Sequence, residues 1–405
     1  MWSARRRRFR ARFRVKARVA PTEKPPYWRL SSFYFFYFAF IGAYNSYFGL
    51  YLKSLEFSAL MIGVVISMMQ IMRIFAPYLW GSLADRWGKR TPLIRMSVTM
   101  GLLCFIPLFF IERFVPLLAV IAVLALFWSA ALPLTESLTL EHLRTQPERY
   151  GRIRLWGSLG FIVVVATVGN VLDHSPAIAV LWSCVVLLAG TALAAMVMPE
   201  TRVRHASHEA EPLLPLLKRP EVMCVLAACF FMSVAHGPLY VFYSIHLVDH
   251  GYSKTAVGLL WALGVVAEIV VFIYMPQILR RWSVRGLFLF SFAAAGLRFL
   301  LIAWGVESLA LVLFAQLLHG ATFGVCHATA MSALSRWFDP RHQGRVQGLY
   351  GSVSFGAGGL VGSLIGSCLW QPIGAGWVYT FAALAGVCGL ALIFIGLPKS
   401  ASYKP

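Results

Sequence analysis

Long apolar runs separated by short polar breaks dominate the chain. Twelve of them lie over residues 28–52, 59–83, 92–111, 115–139, 153–172, 176–198, 222–247, 256–279, 286–305, 308–334, 346–370 and 374–397. Each has the length, about 20 residues, needed to cross a hydrocarbon core of about 30 Å. Backbone groups left unpaired in lipid are too costly for open structures, so a span is a helix or part of a closed barrel. Barrel strands alternate apolar and polar residues over about ten positions. These runs are continuous, so the pattern predicts an all-α membrane protein with twelve transmembrane helices. A polar linker, residues 199–221, divides them into an N-terminal six-helix bundle (28–198) and a C-terminal one (222–398). A basic tail (1–27) and a short C-terminal tail (399–405) flank them.

Composition agrees: of 405 residues, 59% are hydrophobic and 13% charged. The formal charge of +20 is concentrated, because the first 29 residues hold eleven Lys+Arg and one Glu. That tail lacks the apolar core of a signal peptide. Its composition suits a disordered arm against anionic lipid, worth about 1 kcal/mol per basic residue near the surface. No nucleic-acid partner is implied. Of 36 Lys+Arg, 31 fall on the side of the N-terminus, three on the other side (Lys53, Arg113, Lys254), and Arg73 and Arg298 lie inside spans. This bias predicts that both termini are cytoplasmic. The seven cysteines sit in apolar runs with no CxxC pair, so neither a metal site nor a disulfide framework is expected. No cofactor is expected, and no phosphate loop or hydrolase motif suggests an ATPase or other enzyme.

The chain carries an internal repeat. Phe57-Ser58 and Ile62-Gly63 match Tyr252-Ser253 and Val257-Gly258 at an offset of 195, and Gly151-Arg152-Ile153 matches Gly344-Arg345-Val346. The pairs join helices two and five to eight and eleven, so the repeating unit is six helices. Two like-oriented halves place a binding site between them near the midplane. The 195 offset also sets Arg73 on Glu268, opposite charges at equivalent positions.

Polar residues inside the spans are few: Asn45, Arg73, Glu136, His236, Glu268, Arg298, His319 and His327. An ionisable group at mid-membrane costs about 2.5–3.5 kcal/mol by insertion scales, so each is a functional candidate. Glu268, and after it Glu136, is expected to carry a proton, with His319 assisting on a face of small residues. Arg298 and Arg73 are expected to hold an anion, because a guanidinium grips a carboxylate bidentately. A structural Glu–Arg lock is the competing role for the same residues. Tyr44, Asn45, His236 and His327 are candidates to line the substrate site, although buried histidines also serve as packing residues.

The segment Gly81-Ser82-Leu83-Ala84-Asp85-Arg86-Trp87-Gly88-Lys89-Arg90 resembles the signature loop of the major facilitator superfamily. The resemblance implies a gate built on Asp85 and Arg86, with Gly81 and Gly88 permitting a tight turn and close helix approach. The segments from Tyr150 to Ser158, Gly258 to Glu268 and Leu318 to His327, with Pro133-Leu134-Thr135-Glu136, look like the phenylpropionate permease branch. That branch is similar in turn to lactose permease and nucleoside symporter branches. The resemblance covers about residues 27–398. It implies a monomeric, proton-coupled importer of a small aromatic carboxylate in a bacterial inner membrane, working by alternating access. A nucleoside or sugar symporter, an efflux antiporter, and a transport-inactive sensor or scaffold are the alternatives.

Overall fold

A computed structural model describes residues 25–201, 217–339 and 342–398. Most of the basic tail, most of the linker and the C-terminal tail lie outside the described residues. Helices form where the apolar runs predict them. In chain order they are α1 (Tyr27–Ser54), α2 (Ala59–Trp87), α3 (Thr91–Phe110, its last turn 3-10), α4 (Phe114–His142), α5 (Tyr150–Asp173) and α6 (Ala179–Met196). The second set is α7 (Pro220–Asp249), α8 (Lys254–Arg281), α9 (Val284–Trp304), α10 (Leu309–Trp337), α11 (Gln343–Ile373) and α12 (Ala375–Gly396). Among the described residues, eleven helices are long and apolar enough to cross a membrane. The exception, α1, has its mean hydropathy lowered by six tyrosines, Asn45 and several serines, yet most of its rings are buried.

The repeat is visible in the capping chemistry. Ser58 accepts a hydrogen bond from the Met61 amide at the start of α2 (3.3 Å), and Ser253 accepts one from the Ala256 amide at the start of α8 (3.1 Å). Both are N-caps in extended backbone, and each satisfies one of the orphan amides of a helix start.

The halves pack most tightly at the far end, the end away from the termini. Lys53 at the end of α1 pairs with Asp249 at the end of α7. Asp173, the last residue of α5, accepts from the Lys254 and Thr255 amides at the start of α8 (2.8 and 2.9 Å) and from the Thr255 hydroxyl (2.6 Å). Glycine allows the close approach here: a methyl at Gly258 of α8 would collide with the Val165 carbonyl of α5. Tyr47 donates to that same carbonyl (2.5 Å), which holds α1 against α5 beneath the contact. At the near end the packing is looser, and Gly81, Gly151, Gly344, Gly348 and Gly351 have open space where a side chain would project.

Candidate binding and coupling site

Midway along the helices a cavity of about 50 Å³ lies between the halves. A single water needs roughly 10–15 Å³ measured this way, so it holds a few waters rather than a bulky solute. From the N-terminal half α2 contributes Gln70 and Arg73; from the other half α7 contributes His236 and Tyr240, α10 Thr322, Phe323 and His327, and α11 Tyr350 and Phe355. Two segments of π-helix border it, Gly320–Val325 in α10 and Ser352–Gly358 in α11. Such bulges release the regular ladder and often mark functional sites. In α10 the bulge follows His319 directly. Its small residues let α8 approach, since Gly324 lies 3.7 Å from the Glu268 Cα when a methyl is added.

Arg298 is fully buried, with 0% of its surface exposed. Its guanidinium meets neutral acceptors: Nε donates to the Ala315 carbonyl (3.0 Å), Nη1 to Thr322 Oγ1 (3.1 Å) and His236 Nε2 (3.2 Å), and Nη2 to Gln316 Oε1 (3.3 Å). His236 is thereby fixed as a neutral tautomer. Its Nδ1 carries the proton toward the Met232 carbonyl (2.8 Å), leaving Nε2 to accept. The competing role, a direct Arg298–carboxylate lock, is not what the side chain makes, because no ion pair at Arg298 is found among the described residues; the expected anion-binding role would need a substrate to reach it, and Arg298 does not line the cavity.

Glu268 instead meets His319, with Oε1 at 2.5 Å from Nε2. His319 Nδ1 is buried without a hydrogen-bond partner. An imidazole beside a carboxyl is a pair of a chemical type able to exchange a proton. Its ring stacks on Phe323 (5.7 Å), which places the pair one ring's width from the cavity wall.

In the N-terminal half Glu136 of α4 lies 3.9 Å from Arg154 of α5 and accepts from the Tyr150 hydroxyl at 3.4 Å. Arg154 also lies over the Phe38 ring at 3.8 Å. Arg154 is one of the near-side cations and falls at the very start of the fifth apolar run. It is one turn inside α5, which starts at Tyr150. Its signal in the sequence was Glu136, a membrane carboxylate that needs a cation close by.

The other candidates separate. Arg73 is exposed to the cavity with no ion pair among the described residues. His327 lines the cavity and bonds the Tyr350 hydroxyl at 3.1 Å. Asn45 is half-buried on α1 and is not part of the cavity lining. Tyr44 is also absent from it: the ring is 1% exposed, stacked on Phe48 at 4.6 Å within the N-terminal half. Asp85 and Arg86 are exposed in the last turn of α2 rather than in a loop. Gly88 does supply the turn, with φ 66° and its amide bonded to the Ala84 carbonyl (2.9 Å). Gly81 does not provide a close approach, having nothing within 4 Å of the added carbon.

Two six-helix bundles of common plan, with costly charges gathered in and beside a midplane cavity, define a secondary transporter of the major facilitator type. The chain belongs to the MFS_1 like family, whose model matches residues 27–381. It is 28% identical over 366 residues to a probable 3-phenylpropionic acid transporter of Escherichia coli (strain K12), covering 87% of this chain and 93% of that one. It is 25% identical over 368 residues to a maltose permease of Geobacillus stearothermophilus, covering 90% and 92%. The crystal structure of the nucleoside transporter NupG superposes with a TM-score of 0.81 at 18% identity, over 93% of this chain and 99% of that one. That last likeness concerns the fold.

Proposed function

We propose that this transporter moves a small aromatic carboxylate together with a proton, inward across a bacterial inner membrane, as a monomer with both termini cytoplasmic. The observation that carries the reading is Arg73, a guanidinium without an ion-pair partner among the described residues, in a cavity walled by the rings of Tyr240, Phe323, His327, Tyr350 and Phe355. A carboxylate supplies the missing charge and an attached ring fits the aromatic wall. The name of the E. coli relative, a probable 3-phenylpropionic acid transporter, supports the same chemistry. The cavity is too small for such a solute at rest, so loading requires the halves to rock, in keeping with alternating access.

Glu268 with His319 is the proton site in this reading, and Glu136 with Arg154 a second charged element across the cavity. Moving a monoanion into a negative-inside cell costs about 2.3 kcal/mol per 100 mV. One accompanying proton cancels that charge. Near-end gating falls to Asp85 and Arg86. The relatives named for maltose and nucleosides favour a second reading, a neutral substrate. Uptake of labelled 3-phenylpropionate into proteoliposomes, corrected for protein-free vesicles, separates the two. We expect saturable uptake that Arg73→Gln abolishes and Arg73→Lys partly retains. Uptake of maltose or a nucleoside that survives Arg73→Gln, with none of the acid, overturns the carboxylate reading.

A further inference from the structure

The mechanism leaves one pair of cavity groups unused. Cys229 of α7 and Cys326 of α10 both line the cavity. Both are buried and free, only 2% and 3% exposed. They come from helices that are far apart in sequence but neighbours in the fold, so tertiary packing and not a local motif brings them to one cavity wall. The Tyr350 hydroxyl, held by His327 at 3.1 Å, belongs to the same stretch of wall.

We propose that Cys229 and Cys326 form a dithiol site for a soft, two-coordinate monovalent cation of the Cu(I) or Ag(I) class. Thiolates select soft cations over hard ones. Among the described residues no group of three or more His, Cys, Asp or Glu converges as a metal cage, so a tetrahedral zinc site is not available. Two sulfurs on opposing helices suit linear coordination. Binding converts two thiols and one cation into an anionic bis-thiolate complex and releases two protons, with no oxidant or reductant. The site is reached through the solute cavity, and a cation held there joins α7 to α10 and fills the space that a substrate must enter. Soft cations therefore act as blockers of this transporter, whichever substrate it carries.

Silver(I) is the probe, because it is soft and redox-inert. The full chain in nanodiscs, free of added thiols, is titrated with one equivalent and read by silver X-ray absorption. We expect two sulfur neighbours per silver in the wild type, and loss of that signature in both Cys229→Ala and Cys326→Ala. Cys368→Ala and Cys388→Ala, which remove the two exposed thiols, leave it intact. As a check that needs no variant, wild-type protein with and without silver is alkylated over a long time course and mapped by mass spectrometry, and silver should slow the labelling of Cys229 and Cys326 together relative to the silver-free protein. A two-sulfur signature that persists in either cavity variant, or labelling of both cavity thiols that silver does not slow, overturns the proposal.

Discussion

Asp173 offers the sharpest test of how the far end is sealed. Its carboxylate ends α5 in one half and meets the exposed amides that begin α8 in the other. Three hydrogen bonds converge on it, at 2.8, 2.9 and 2.6 Å. A hydrogen bond to a charged group contributes about 1.5–3 kcal/mol. A carboxylate at a helix N-terminus adds about 0.3–1 kcal/mol. The site is half-exposed, so water replaces part of what is lost when the halves separate. We take about 2 kcal/mol as the net loss in Asp173→Ala, roughly a thirtyfold shift toward the state open at the far end. Asp173→Asn keeps one acceptor and loses the charge, so about 1 kcal/mol and a fivefold shift are expected. Spin labels at Leu60 and Leu309, both exposed at that end on opposite halves, report the separation by pulsed electron resonance after the native cysteines are replaced. The long-distance population should grow in the order wild type, Asn, Ala. An unchanged distribution in Asp173→Ala would refute the assignment of this contact as a latch.

Two further outcomes follow from the packing. Gly258→Ala should favour the far-end-open state in the same spin-label assay, because the added methyl overlaps the Val165 carbonyl only while the far end is closed; an unaltered distribution would mean that the interface yields elsewhere. Arg298→Gln should lower thermal stability by about 3 kcal/mol, since it strands His236, Thr322 and the Ala315 carbonyl without their buried donor. A melting temperature within 1–2 °C of wild type, on the scale of about 2–4 °C per kcal/mol for larger domains, would show that the network contributes little.

The number and order of helices were legible because the hydrophobic pattern leaves no alternative in lipid. The repeat was legible too, since Ser58 and Ser253 perform the same cap 195 residues apart. Which polar groups share a locality was also within reach: Glu268, His319, His236, Arg298, Arg73 and His327 do lie in or next to one cavity. Their pairing was not. A span's sequence fixes the depth of a side chain but not its rotation toward a particular neighbour, so it could not show that four neutral acceptors already hold the Arg298 guanidinium. For the same reason the sequence could not show that the Tyr44 ring turns into its own half, stacked on Phe48, and not into the cavity wall. Arg154 was missed because a cation at the start of a span reads as topogenic in sequence, whereas the fold turns it toward Glu136. That Cys229 and Cys326 line one cavity had no sequence signal at all, since two remote helices bring them there.

The central claim, that Glu268 with His319 carries the proton that accompanies the solute, is tested most directly by proton movement driven by substrate. Lightly buffered proteoliposomes receive external 3-phenylpropionate while an external dye follows pH, against protein-free vesicles. The wild type should alkalinise the medium in step with uptake. Glu268→Gln should still exchange labelled for unlabelled solute across the membrane but show no alkalinisation. Substrate-driven alkalinisation of wild-type size in Glu268→Gln would contradict the claim.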